Sequence, residues 1–320
     1  MNKIIILSLK FIVTLGLLIW IGNRVDWNQV IVALASLGWK GWLLSLAIVS
    51  AQNILAAWRW RLILLSLGLR LPWWKCLRYF YVGLLLNQTL PASVVGDMAR
   101  VWLLNRNGYA LGAAVHSIIL DKIFPILSLL ALIALTAYQW GMLTGQTTIA
   151  EIFIVIALGF LAILSILIFI SGRIVNSAKS HWVSVLQRLL MAIHFCLRHP
   201  RNLLPPLLAG ILGFCCMAVL VSSIANFMFI NLSILTCLVI LPSVFLVMSL
   251  PISIGGWGIR EGVMVIVLGY IGILPNQSIP LSIAFGLILL VGSLPGLLCL
   301  IHLNLTNFGR DIPAINKLTY

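Results

Sequence analysis

Two stretches of this 320-residue chain carry the same arrangement, Leu-Pro-x-Ser-x-x-Gly-x-x-x-Arg, at positions 90–100 and 250–260. Proline removes a backbone donor and disfavours helix in the residue before it, so each stretch should interrupt a helix. The helix that restarts after the break presents unpaired N–H groups and a positive dipole end, which favour an anion. Arg100 and Arg260 each add a planar guanidinium suited to phosphate or carboxylate. The repeated pattern therefore predicts two anion-binding helix breaks.

Small and polar residues complete the predicted site at each break. Gly96 and Gly256 tolerate the backbone conformations that a tight turn needs. Ser93 and Ser253 offer hydroxyls that bind a ligand or cap the new helix. The candidate substrate-binding residues are Asn87, Ser93, Gly96, Asp97, Arg100, Asp121, Ser253, Gly256, Arg260 and Glu261.

Three acidic side chains accompany the arginines. Asp97 and Glu261 are close to them in sequence and are predicted to be counter-ions, with gating or proton transfer as alternative roles. A purely structural alternative pairs Arg100 with Asp97, and Arg260 with Glu261 or with lipid headgroups. Asp121 lies well inside a long apolar run, where a charged residue should face a cavity or another charge. Asp121 is therefore a candidate partner of Arg100.

The composition is that of a membrane protein. Hydrophobic residues make up 62% of the chain, charged residues make up 8%, and the mean hydropathy is +1.16. The net charge of +14 comes from basic residues that flank apolar runs, which favours anionic lipid headgroups over nucleic acid as partners. The sequence contains no His-x-x-Glu-His pair, Gly-x-Ser-x-Gly elbow, Walker loop or Cys-x-x-Cys pair. We therefore expect neither catalysis, nor a metal, nor a cofactor.

Apolar runs of spanning length divide the chain into two halves, 1–140 and 141–320, within a single transmembrane domain. Each half is predicted to contain a span, an interfacial helix, a span, a broken helix pair and a span. The spans are expected at about 4–22, 41–67, 111–139, 150–172, 203–230 and 279–303, and the broken pairs at about 76–108 and 233–275. The predicted fold class is an all-α polytopic membrane protein built of two inverted repeats, with the broken pairs either re-entrant or fully crossing.

Basic residues set the orientation of the chain. They cluster at the start of the first span and after the second and fourth, whereas the loops near 140–150, 226–236 and 273–279 contain none. The positive-inside rule therefore predicts that both termini are cytoplasmic, with 59–61 (Arg-Trp-Arg) as an anchor. Each interfacial helix has one apolar face. The faces consist of Trp27, Val30, Ile31, Leu34 and Leu37, and of Trp182, Val185, Leu186, Leu189 and Ile193.

At the two breaks the chain resembles the flippase-like transmembrane region of the lysylphosphatidylglycerol synthases. The family pattern Asn-x-x-Leu-Pro, followed by Gly-Gly-Asp/Glu-x-x-Arg, is similar to 87–100, with Val95 in place of one glycine. The pattern Pro-x-Ser-x-Gly-Gly-x-Gly-x-Arg-Glu matches 251–261. An acidic–basic pair and an Arg-Trp pair also match, at Asp121-Lys122 and Arg59-Trp60. The resemblance covers nearly the whole chain.

The resemblance implies a function in lipid handling. In bifunctional relatives this region flips an aminoacylated phospholipid that a separate soluble domain makes. This sequence ends at Tyr320, shortly after its last expected span, so we expect a stand-alone member without the aminoacyl-transferase domain. Stand-alone relatives are linked to polyprenyl-linked sugars and hopanoid pathways. The resemblance therefore implies that the protein lies in the bacterial inner membrane and handles an anionic phospholipid or a polyprenyl- or hopanoid-type lipid.

Two functions are open on these grounds. In the first, Arg100 and Arg260 bind an anionic headgroup in a midplane cavity, and the repeats rock against each other to give alternating access. In the second, the chain is a non-transporting accessory subunit that binds or presents a lipid to a separate transferase. A membrane-embedded transferase ranks third, because the sequence shows no acid–base or metal constellation. Replacing both arginines by alanine is expected to abolish headgroup transfer and to leave a folded protein.

Overall fold

The computed structural model describes residues 27–90, 94–173, 200–249 and 258–303. Within these ranges the chain forms eleven α-helices and no β-strand, which confirms the all-α prediction for the described part. In chain order the helices are α1 (Trp27–Ser36), α2 (Gly38–Ser66), α3 (Trp73–Thr89), α4 (Val95–Arg106), α5 (Leu111–Thr144), α6 (Thr147–Arg173), α7 (Pro200–Phe227), α8 (Ile234–Met248), α9 (Ile259–Gly269), α10 (Pro275–Ser293) and α11 (Pro295–His302).

Four stretches of helix are long and apolar enough to cross a membrane. They are Gly38–Ser66, Leu111–Thr144, Arg201–Phe227 and Pro275–His302, and they coincide with four of the six predicted spans. The predicted span at 150–172 falls within α6. The predicted span at 4–22 and the interfacial helix around 182–193 lie outside the described residues. The described helices thus support a multi-pass membrane protein.

Small residues set the closest crossings between the long helices. A Cβ atom at Gly210 of α7 would lie 2.1 Å from Oγ of Ser128 on α5, and one at Gly292 of α10 would lie 2.6 Å from a methyl carbon of Val49 on α2. Two hydrogen bonds join the same helix pairs: Ser128 Oγ donates to the Leu207 carbonyl at 2.9 Å, and Asn53 Nδ2 donates to the Gly292 carbonyl at 3.2 Å. Such contacts are typical of helices that pack inside membranes, and they hold α2, α5, α7 and α10 in one bundle.

The first break joins two antiparallel helices, α3 and α4. Asn107 near the end of α4 donates a hydrogen bond to Tyr79 near the start of α3, while Asn87 Oδ1 accepts the Gly96 N–H at 2.9 Å near the break. The 12 residues of α4 extend about 18 Å, which is less than the roughly 30 Å of a bilayer core. The pair therefore forms a helical hairpin whose second helix is shorter than a bilayer core, and whether it re-enters the membrane stays a prediction.

The second break joins α8 and α9, which contact each other. Val239, in the first half of α8, lines a small cavity together with Trp140 of α5. The ring of Tyr270, just after α9, lies edge-on to Trp140 with ring centroids 6.1 Å apart. Because the end of α9 lies beside the first half of α8, the two helices are antiparallel and form a second hairpin. Residues 91–93 and 250–257, which connect the helices of each pair in the chain, lie outside the described residues, and the inverted relation of the halves stays a prediction.

The helix α1 covers the first predicted interfacial segment, but its apolar face is divided. Val30 and Leu37 are buried, and α1 packs on α10. Trp27 and Ile31 are instead exposed, which suits a helix that lies at the membrane surface.

Replacing Gly96 by alanine should separate the two helices of the first hairpin. The added Cβ would lie 1.9 Å from the Gly83 carbonyl oxygen and 2.6 Å from Asn87 Oδ1. We therefore expect Gly96→Ala to lower the thermal unfolding temperature in detergent markedly. Gly159→Ala is the control, because nothing lies within 4 Å of its Cβ, and alanine is favoured in a helix by about 1 kcal/mol. Wild-type thermal stability in Gly96→Ala would contradict the close packing of α3 and α4.

Candidate functional site

Five charged side chains from α2, α4 and α5 form an alternating row, here called the charge network: Arg59, Asp121, Arg100, Asp97 and Lys122. At its centre Arg100 Nη1 donates to Asp121 Oδ2 at 2.8 Å, and Nη2 donates to Asp97 Oδ1 at 2.7 Å. Arg59 donates to Asp121 Oδ1 from Nη2 at 3.0 Å and from Nε at 3.2 Å. Lys122 Nζ lies 2.9 Å from Asp97 Oδ2. Each carboxylate is therefore shared by two cations.

Arg100 is buried in a slot between aromatic rings, with 4% of its surface exposed. Its guanidinium carbon lies 4.9 Å from the ring centroid of Trp60 and 5.6 Å from that of Phe80. A Cβ atom at Gly83 would lie 2.9 Å from Cδ of Arg100, so only glycine leaves space for the arginine stem. Cation–π attraction and two carboxylates thus offset the desolvation of the buried Arg100 guanidinium.

The start of α4 is occupied by the protein's own polar groups. Asn87 Oδ1 accepts the Gly96 N–H, and Asn87 Nδ2 donates to Asp97 Oδ1 at 3.4 Å. Asp97 lies in the first turn of α4, where the helix dipole favours a carboxylate. The anion at this helix start is therefore an aspartate of the chain itself.

The second hairpin contains a separate ion pair between Arg260 and Glu261. Arg260 is 2% exposed, and its Nε donates to Glu261 Oε1 at 3.0 Å. The other carboxylate oxygen, Oε2, accepts the N–H of Gly258 at 2.6 Å, and Gly258 has φ +84°, which glycine adopts without strain. The guanidinium carbon lies 5.9 Å from the Phe285 ring centroid, and a Cβ at Gly286 would lie 2.0 Å from Nη2. Gly286 thus makes room for Arg260 against α10.

The structure brings together five of the residues predicted from the sequence at the first break, and two at the second. The first group is Asn87, Gly96, Asp97, Arg100 and Asp121, and the second is Arg260 and Glu261. Ser93, Ser253 and Gly256 lie outside the described residues. Both arginines make the carboxylate pairs that the sequence offered as the structural alternative to ligand binding. They belong to different helix pairs and have different carboxylate partners.

Arg59, Trp60 and Lys122 belong to this site but were not among the predicted site residues. Arg59 and Trp60 were predicted to form a membrane anchor, whereas Arg59 is paired with Asp121 and Trp60 faces Arg100. Lys122 was noted only as part of the Asp121-Lys122 pair. The available signal was that the apolar helices α2 and α5 each carry charged residues, Arg59 and Arg61 in α2 and Asp121 and Lys122 in α5. Charges inside apolar helices tend to pair with one another. Arg61, two residues beyond Arg59, has a buried Nε that makes no hydrogen bond within the described part of the chain.

Comparison with protein families gives one match on these residues. The sequence profile described as the lysylphosphatidylglycerol synthase transmembrane region matches residues 5–296. The matched stretch includes both helix breaks and every member of the charge network. Comparison with curated proteins gives no match.

Proposed function

This chain belongs to the family of lysylphosphatidylglycerol synthase transmembrane regions, and we propose that it translocates an anionic phospholipid or lipid-linked headgroup across the cytoplasmic membrane. The observation that carries the proposal is the charge network on α2, α4 and α5. An arginine at the centre of a membrane helix costs about 2.5–3.5 kcal/mol on insertion scales, and such residues tend to mark ion or substrate paths. Arg100 and Arg260 are both buried, and each lies beside a helix break, which favours a headgroup path over simple anchoring.

In the proposed mechanism the headgroup reaches the network while the acyl or prenyl tails stay in the surrounding lipid. The phosphate competes with Asp97 and Asp121 for the N–H groups of the cations. Trp60 and Phe80 hold the Arg100 guanidinium in one orientation, so the fork is ready for a phosphate without further ordering. Rocking of the two halves then exposes the site to one side of the membrane and then to the other, with both termini on the cytoplasmic side.

Translocation in liposomes tests this proposal with a charge-preserving substitution. Arg100→Lys keeps the positive charge but replaces the planar fork by one ammonium, which is unable to bridge Asp97 and Asp121 in the same way. We expect it to slow movement of acyl-labelled phosphatidylglycerol at least about tenfold, a loss of roughly 1.4 kcal/mol. Arg106→Lys, at the exposed end of the same helix, is the matched control and should move the lipid at the wild-type rate.

Two outcomes of that assay would count against the proposal. Equal translocation rates in Arg100→Lys and wild type would show that the charge network does not take part in headgroup translocation. Wild-type protein that moves no more lipid than protein-free liposomes, but co-purifies with a lipid-modifying transferase, would establish the accessory-subunit function instead.

A further inference from the structure

Among the residues that the structure describes, the charge network contains three cations and two carboxylates, which leaves one positive charge in excess. The pair at the second break consists of one cation and one carboxylate, Arg260 and Glu261. Buried charges are costly unless opposite charges compensate them. The four members with little exposed surface balance one another, namely Arg59, Arg100, Asp97 and Asp121. The excess is therefore the charge of Lys122, and one further negative charge would neutralise the network.

Lys122 is the member of the network that reaches the surface. Its side chain is 55% exposed, whereas those of Arg59 and Arg100 are 12% and 5% exposed. It is the one exposed residue of α5 between Val115 and Ala134, a range that the structure describes in full. Because α5 is a candidate span, an ammonium on its surface is stable only where a polar group meets it. Lys122 therefore places the excess positive charge of the network at the protein surface, where an anionic ligand can contact it.

The hydrogen bonds of Asp97 allow Lys122 to change partner. Lys122 uses one ammonium contact, to Asp97 Oδ2 at 2.9 Å, and an ammonium has three N–H donors. The other carboxylate oxygen, Oδ1, accepts from Arg100 at 2.7 Å and from Asn87 at 3.4 Å. Asp97 therefore keeps a buried cation and an amide donor when Lys122 leaves.

We propose that Lys122 is the docking residue for the phosphate of a lipid that carries one net negative charge. The phosphodiester oxygen accepts a hydrogen bond from the Lys122 ammonium in place of Asp97, and its single charge brings the network to neutrality. A zwitterionic headgroup brings its own cation, so it leaves the excess charge in place. This inference rests on the proposed lipid function and narrows it to singly charged anionic phosphodiester lipids.

Native mass spectrometry of purified protein in mixed phosphatidylglycerol and phosphatidylethanolamine nanodiscs tests the docking role. Wild type should retain phosphatidylglycerol in preference to phosphatidylethanolamine, and Lys122→Gln should reduce that preference at least about tenfold. Lys122→Arg should keep it, because the charge and a donor remain. Lys75→Gln, an exposed lysine of the first hairpin, removes the same charge elsewhere and should also keep it.

A second variant separates docking from a purely structural salt bridge. Asp97→Asn removes the carboxylate that competes for Lys122, so it should strengthen retention of phosphatidylglycerol while Lys122→Gln weakens it. Size-exclusion chromatography checks that both variants are folded. Weaker retention of phosphatidylglycerol in both variants would show that the Lys122–Asp97 pair only stabilises the fold, and would overturn the docking role. An unchanged preference in Lys122→Gln, or an equal loss in Lys75→Gln, would overturn it as well.

Further measurements distinguish a lipid phosphate from free inorganic phosphate, and failure of the docking role from failure of the translocation proposal. Excess inorganic phosphate should leave the bound phosphatidylglycerol in place, whereas complete displacement would identify a site for free phosphate and overturn a lipid ligand. If Lys122→Gln binds and moves phosphatidylglycerol like wild type, the docking role fails and translocation stands. If wild type binds the lipid through Lys122 but moves none, translocation fails and the docking role stands.

Discussion

Arg100→Met should destabilise the folded protein by about 3–5 kcal/mol, since it removes the buried cation that Asp97 and Asp121 share. Asp121 retains Arg59, whereas Asp97 retains only the exposed Lys122, so Asp97 bears most of the loss. The measurement is the unfolding free energy in mixed micelles, with Arg106→Met as the exposed control on the same helix. The control should stay close to wild type.

The double variant Arg100→Met/Asp97→Asn gives the stronger form of this prediction. It removes a cation and a carboxylate together, and leaves the Arg59–Asp121 pair intact. Replacing both members of a buried pair by neutral groups is commonly much less harmful than removing one. We therefore expect the double variant to be more stable than Arg100→Met, although it carries one more substitution. If the second substitution simply adds to the loss, the two side chains do not compensate each other as described.

Glu261→Ala should cause a loss of similar size, about 3–5 kcal/mol, because Arg260 keeps its charge in a buried position. It also removes the acceptor of the Gly258 N–H at the start of α9. Glu261→Gln retains an acceptor oxygen and loses only the charge, so its stability should lie between those of Glu261→Ala and wild type. Glu151→Ala, an exposed glutamate of α6, is the control. Equal unfolding free energies for Glu261→Ala and Glu151→Ala would contradict the burial of this pair.

These ion pairs change how the arginine variants should be used. The sequence led us to expect a folded protein after both Arg100 and Arg260 are replaced by alanine. In the structure, that change would leave Asp97 and Glu261 buried without their arginines. Lost transfer in the alanine variant would then report instability as readily as lost binding. Charge-preserving lysine variants separate the two effects.

The spans and the helix breaks were readable from the sequence because both are local properties. A span is a continuous apolar run, and the breaks follow from Pro91 and Pro251 with the glycines that come after them. The pairing of Arg100 with Asp97 is also local, since residues three apart on a helix are neighbours.

The remaining contacts depend on how one helix lies against another, which the spacing of residues does not determine. Arg59 and Asp121 are 62 residues apart in the chain, and their pairing requires the packing of α2 on α5. The position of Arg260 likewise depends on Gly286, where a side chain would collide with the guanidinium. The excess charge of the network appears only when all five side chains are placed, so the sequence could show the pairs Asp121-Lys122 and Arg59-Trp60 but not their assembly into one network.

If the charge network holds the headgroup of a singly charged anionic lipid, that lipid should remain bound to the protein during purification. The protein would be extracted gently from its own membrane, and its bound lipids quantified by mass spectrometry against the bulk membrane, beside Arg100→Lys and Arg106→Lys. We expect one such lipid to be enriched in wild type and in Arg106→Lys, and to be depleted in Arg100→Lys. If the bound lipids have the same composition as the bulk membrane in all three proteins, the network does not bind a specific headgroup and its role is structural.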